Sequence, residues 1–117
     1  MNYTWNEIEQ VVKHFPNLIE LKVCFNLIDS IDKPISASLL RKLKVLDLES
    51  NKLYEWEHLK RFGALKELEV LYANDTGIAQ VSFAETAFPN KTNLFPKLKL
   101  LSLNDNKINE VIFFKGL

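Results

Sequence analysis

Residues 43–53 read LKVLDLESNKL, and this pattern, L-x-x-L-x-L-x-x-N-x-L, decides the fold. It recurs at 18–28, 68–78 and 98–108, with other apolar residues at some leucine slots and Thr76 in place of one asparagine. The second leucines of the four copies recur at spacings of 25, 25 and 30 residues, at Leu21, Leu46, Leu71 and Leu101. The chain is therefore built from one repeated structural unit.

The L-x-L step has the two-residue period of a strand, whereas a helical bundle would need apolar residues at i, i+3, i+4 and i+7. Spacings of roughly 20 to 29 residues are typical of leucine-rich repeats. Parallel strands must be joined by crossover segments, which here would return on the outside. We therefore expect an α/β fold: a leucine-rich repeat solenoid, that is, a right-handed β-α superhelix of about four repeats with a short parallel sheet on its concave side.

The repeats predict a single domain over 1–117. Before the first repeat, Thr4 and Glu7 form a capping-box pattern, and apolar residues at helical spacing up to Phe15 predict a helix over 4–15 that Pro16 ends. The predicted domain comprises an N-terminal helix or partial repeat at 1–17, repeats at 18–42, 43–67 and 68–97, an insertion at 82–96 within the third repeat, and an incomplete repeat at 98–117.

Other positions of the repeat predict which residues lie in the core and which strand lies at the edge of the sheet. An outer helix facing the core is expected at Trp56, Leu59, Phe62 and Leu65, and inward-facing polar residues are expected at Asn26, Asn51, Thr76 and Asn106. The chain stops before the fourth repeat could be closed, so we expect a fragment. Its last strand, beside Phe113 and Phe114, would then be an uncovered edge at which copies of the chain could associate.

The composition argues against several function classes. The 15 basic and 15 acidic residues cancel, which disfavours nucleic acid as a partner, and no apolar run is long enough to span a membrane. With three glycines and no phosphate-binding loop, and with His14 and His58 isolated, we expect no cofactor and no metal. The single cysteine, Cys24, excludes an internal disulfide and favours a reducing, cytoplasmic compartment.

The concave face is the expected site of function, because its strand positions are free of core duties and curved repeat arrays bind proteins there. Three rows of side chains should cross it. The first row is Lys22, Asp47, Tyr72 and Ser102, the second is Cys24, Glu49, Asn74 and Asn104, and the third is Phe25, Ser50, Asp75 and Asp105. This polar, mildly acidic face, with Phe25 and Tyr72 as anchors, predicts protein binding. No base accompanies Cys24, so we do not expect an enzyme.

The chain also resembles the leucine-rich region of the tubulin-specific chaperone E family, also called tubulin-binding cofactor E, or of its E-like paralogue. The resemblance covers about 4–110 and rests on six stretches: Thr4-Trp5, FPNLIEL at 15–21, LKVLDLESNKL at 43–53, DTGI at 75–78, KTNLFP at 91–96 and NDNKI at 104–108. It implies a cytoplasmic, cytoskeleton-associated, non-enzymatic chaperone module. Its partners would be α-tubulin and other tubulin cofactors. The chain departs from the family at Val111, where the family has tryptophan.

Two other readings remain. A regulatory leucine-rich subunit could dock a cytosolic enzyme such as a phosphatase through the same face, although such arrays have uniform short repeats rather than the 30-residue interval seen here. An extracellular recognition domain is disfavoured, because one cysteine cannot supply disulfide-bonded caps.

Overall fold

A computed structural model of the chain describes residues 3–24, 28–31, 35–36, 38–79, 95–107 and 110–113. Four sequence predictions fall outside these ranges: the anchor Phe25, the inward asparagine Asn26, residues 82–94 of the insertion, and Phe114 beside the last strand. None of the described helices is long and apolar enough to cross a lipid bilayer.

The N-terminal helix α1 spans Trp5–Val12 and is shorter than the predicted 4–15. The capping box forms as expected, since the Glu7 backbone N–H donates to Thr4 Oγ1 and the Thr4 N–H donates to Glu7 Oε1. At the other end, the chain tightens into i→i−3 hydrogen bonds, such as Phe15 N–H to the Val12 carbonyl, before Pro16. Phe15, expected on the buried face, is consequently 56% exposed.

Four short strands form the predicted parallel sheet: β1 (Glu20–Lys22), β2 (Val45–Asp47), β3 (Val70–Tyr72) and β4 (Leu100–Leu103). They lie side by side in chain order, and the second leucines are in register from Leu21 to Leu101. This confirms the α/β fold with a parallel sheet and is compatible with a repeat architecture.

A fifth strand, β5 (Glu110–Phe113), corrects the expectation of an uncovered last strand. It pairs antiparallel with β4, from Leu100 opposite Phe113 to Leu103 opposite Glu110. An antiparallel strand needs only a short connection, and the sequence VIF has high strand propensity. The edge of β4 is therefore occupied by the chain itself.

The outer layer beside the second repeat is the predicted short helix. Helix α2 spans Trp56–Lys60 and continues as a 3-10 turn, Arg61–Ala64. Trp56 and Leu59 of α2 and Phe62 of the turn point into the core as predicted, as does Leu65 just after it. The Phe62 ring meets Trp5 of α1 edge to face, with ring centroids 4.9 Å apart, so this layer ties the N-terminal helix to the repeats.

The core runs between the sheet and the outer layer. The repeat leucines of the second to fourth copies are fully buried, whereas Leu18, Leu21 and Val23 of the first copy are only partly buried. Among the described residues no strand lies beyond β1. The inward polar slots are confirmed at Asn51 and Thr76, which are 3% and 1% exposed. Asn51 Oδ1 accepts a hydrogen bond from the Ile28 N–H of the preceding repeat, whereas the Thr76 hydroxyl donates to the Ala73 carbonyl of its own turn.

Candidate protein-binding surface

One face of the sheet points away from the core. Because Leu21, Leu46, Leu71 and Leu101 point inward and side chains alternate along a strand, the residues on either side of each leucine point outward. We call this surface the open face. It is the face on which the sequence placed the rows of binding residues.

The first predicted row is in register across all four parallel strands. Lys22 pairs with Asp47, Asp47 with Tyr72, and Tyr72 with Ser102. Lys22 is exposed, and Asp47 and Tyr72 are half-buried. Ser102 is only 5% exposed, since it lies between β3 and β5, so little of it is left for a partner.

The second row is held together through Asn74. Its Oδ1 accepts hydrogen bonds from Ser102 Oγ at 2.8 Å and from the Asn104 backbone N–H at 2.7 Å. Its Nδ2 donates to Glu49 Oε1 at 3.4 Å. The amide of Asn74 is thus committed to bonds within the chain, and its effect on a partner would be to fix the positions of Glu49 and Asn104.

The third row lies at a turn with an unusual backbone. Ser50, Asp75 and Asp105 have φ of 60°, 53° and 58°, the left-handed region that short polar residues tolerate best. Ser50 Oγ donates to Asp75 Oδ2 at 2.8 Å. The residue types in this row are therefore suited to the turn as well as to any contact with a partner. The recurrence of Ser and Asp at these positions was already visible in the sequence.

Burial and neighbouring carboxylates shift the pKa values of two side chains of the open face, Cys24 and Lys22. Burial, followed by the hydrogen bond and the charge of Asp47 and by the charge of Glu49, raises the pKa of the Cys24 thiol to about 11. The thiol is therefore protonated at neutral pH, which disfavours it as a nucleophile. Lys22 bonds Glu20 at 3.2 Å, which raises the pKa of Lys22 and leaves its charge compensated.

The sequence rows missed one part of the open face. Val45, Val70 and Leu100 are in register with Glu20, and all three are half-buried on the side of the sheet that carries Tyr72. Each is the apolar residue directly before a second leucine, so the alignment of repeats did contain the signal. Together they form an apolar row beside a polar, acidic one, which is the composition expected of a protein-binding surface.

Comparisons with known proteins agree with the resemblance read from the sequence. The chain is 38% identical to tubulin-specific chaperone E of Homo sapiens, 37% to that of Pongo abelii and 34% to that of Mus musculus. Each alignment covers 114 residues, which are 97% of this chain and 21% of the relative. The chain thus spans about a fifth of the length of the curated relatives it matches. No family model and no solved structure matches it.

Proposed function

We propose, because the chain is similar to tubulin-specific chaperone E along nearly its whole length, that it is a single leucine-rich repeat domain of a tubulin-folding cofactor. In this proposal the domain is a solenoid whose concave side is the open face. It binds α-tubulin there during assembly or dissociation of the heterodimer, without a catalytic step, in the cytoplasm. Other tubulin cofactors are further partners.

One observation carries the proposal: the alignment covers 97% of the chain at 38% identity, and the relatives are named for a tubulin chaperone. The open face supports it with a surface of suitable composition. Its apolar row and Tyr72 can be removed from water on contact with a partner. The carboxylates at the carboxyl ends of the strands favour a partner with basic groups. Association between copies at a sheet edge would use β1 or β5, the two outermost described strands, because β5 covers β4.

The test is capture of purified αβ-tubulin by this chain, measured by biolayer interferometry at low and moderate salt. The variant is Tyr72→Ala with Asp47→Asn, since asparagine can still accept the hydrogen bond that Asp47 Oδ1 receives from the Glu49 N–H. We expect at least about a tenfold loss of affinity, because an aromatic anchor and a neighbouring charge are removed together.

The matched control is Tyr54→Ala with Glu55→Gln, which makes the same chemical changes at two exposed residues outside the rows. We expect it to change affinity by less than about twofold. Equal losses in both variants would place the contact elsewhere, and absence of capture by the folded, unchanged chain would contradict the proposal. Cross-linking of the complex then identifies which tubulin subunit lies on the open face.

A further inference from the structure

Two columns of charged side chains cross the sheet at the amino-terminal ends of its strands, outside the rows described above. Four residues before Leu46, Leu71 and Leu101 lie Lys42, Glu67 and Lys97, which form one column, and two residues before the same leucines lie Lys44, Glu69 and Lys99, which form the other. The sign of the charge alternates from one repeat to the next in both. Such alternation would allow each lysine to pair with a neighbouring glutamate.

Among the described residues, the pairs form only between the glutamates that precede β3 and the lysines that precede β4. Lys97 Nζ lies 3.0 Å from both carboxylate oxygens of Glu67, and Lys99 Nζ lies 3.6 Å from Glu69 Oε1. In each column, therefore, the glutamate turns toward the later lysine. The two lysines that precede β4, Lys97 and Lys99, are each paired with a glutamate of the same chain.

Among the described residues, the two lysines that precede β2, Lys42 and Lys44, lack this compensation. The equivalent positions before β1 are Asn17 and Ile19, neither of which is acidic. Within the part of the chain that the structure describes, Lys42 and Lys44 make no ion pair. Both side chains are exposed and line the same cleft, so two neighbouring cations have no acidic partner among the described residues.

These lysines line a cleft of about 530 Å³ together with Ile19, Arg41 and Glu67. We call it the basic cleft. Three of the lining residues are cationic, and the one carboxylate already holds Lys97. The side chain of Ile19 is 56% exposed, which gives the cleft an apolar wall beside its charges.

We infer that the basic cleft is a docking site for an acidic segment of a protein partner, one that carries an apolar side chain among its carboxylates. The carboxylates would pair with Arg41, Lys42 and Lys44, and Arg41 can hold one of them with two parallel hydrogen bonds. The apolar side chain would pack on Ile19. This site is distinct from the open-face rows and does not depend on the function proposed above.

The same charges would attract phosphates, but the rest of the surface favours a peptide. Asp47, Glu49, Asp75 and Asp105 lie at the opposite ends of the strands and would repel a long polyanion laid across the sheet. A phosphate backbone also has no group that uses the exposed wall of Ile19. A short acidic segment with one apolar residue satisfies both features.

The test uses the 117-residue chain and a labelled synthetic peptide in which glutamates flank one leucine, with binding followed by fluorescence anisotropy. Lys42→Glu with Lys44→Glu should weaken binding at least about tenfold, since two attractive contacts become repulsive. The matched control, Lys13→Glu with Lys52→Glu, makes the same change in net charge at two exposed lysines elsewhere and should weaken binding by less than about threefold. Circular dichroism verifies that both variants fold.

The apolar wall is tested separately. Ile19→Ala should weaken binding of the leucine peptide and leave unchanged the binding of a peptide with alanine at that position. Three results would overturn the inference: equal weakening by the two double variants, no effect of Ile19→Ala, or tighter binding of a single-stranded oligonucleotide than of the peptide in competition. The last result would assign the cleft to nucleic acid.

Discussion

The turns that follow β2 and β3 occupy the same place in successive repeats, but they are closed in different ways. After β2, Asn51 closes the turn and joins it to the first repeat. Its Nδ2 donates to the carbonyls of Leu48 at 2.9 Å and Val23 at 3.0 Å, and its Oδ1 accepts from the Ile28 N–H at 3.2 Å. A repeat with asparagine in this slot is therefore hydrogen-bonded to the repeat before it.

After β3, Thr76 stands in the asparagine slot and is too short to do the same. Its Oγ1 donates to the Ala73 carbonyl of its own turn at 3.0 Å. The turn is closed from the next repeat, because Asn106 Oδ1 accepts from the N–H groups of Thr76, Gly77 and Ile78 at 2.7, 2.7 and 3.2 Å. The third repeat therefore depends on the fourth.

The backbone of the two turns differs accordingly. The Lys52 N–H donates back to the Ile28 carbonyl, whereas the N–H of Gly77, at the equivalent position, donates forward to Asn106. Gly77 has φ of 84° and lies beneath the ring of Tyr54. One difference between repeats, threonine in place of asparagine, thus changes which neighbouring repeat stabilises the turn.

The largest effect is expected from Asn106→Ala. It leaves three N–H groups of the third repeat without their acceptor and removes the bonds from Nδ2 to the Ala73 and Leu103 carbonyls. Since each unsatisfied buried group costs about 1 to 3 kcal/mol and the turn can partly relax, we expect a loss of about 3 to 4 kcal/mol in the free energy of unfolding. Urea denaturation followed by circular dichroism measures it.

Two reference variants make that number interpretable. Asn51→Ala removes fewer hydrogen bonds between described residues and should cost about 2 kcal/mol, while Asn17→Ala, at an exposed residue, should cost less than about 0.5 kcal/mol. A loss in the free energy of unfolding for Asn51→Ala as large as that for Asn106→Ala would contradict the expected difference between the two asparagines.

A smaller effect is expected from Gly77→Ala. An alanine at this φ is strained by about 1 to 2 kcal/mol, and its Cβ would overlap the Tyr54 ring. Tyr54 is 59% exposed and can move aside, so most of the cost should come from the backbone. The double variant with Tyr54→Ala separates the two causes: if it restores full stability, the ring rather than the backbone requires glycine.

The smallest effect is expected from Thr76→Val, which keeps the shape of the side chain and removes its hydroxyl. Oγ1 gives up its bond to the Ala73 carbonyl and a weaker one of 3.2 Å to Asn106 Oδ1. We expect a loss of about 1 kcal/mol by thermal unfolding. A loss as large as that of Asn106→Ala would mean that Thr76, and not Asn106, closes the turn.

These turns show which features could be predicted from the sequence and which could not. The repeat placed an inward polar residue at Thr76 correctly, because burial at a repeat position follows from the register alone. It did not show that Asn106 serves the preceding turn, because that depends on how far a side chain reaches between repeats. The open face shows the same limit: its first row was predicted in register, but the burial of Ser102 depends on β5.

The parallel strands, their register and the inward-facing slots could be predicted from the residues alone, because they follow from spacing along the chain and from the alternation of side chains in a strand. Three further features emerged only from contacts in three dimensions: 110–113 pair with β4, Glu67 pairs with Lys97 and leaves Lys42 unpaired among the described residues, and α1 ends at Val12. The first two depend on competition between segments for the same partner, and the third on local hydrogen bonds before Pro16. The spacing of a repeat records neither.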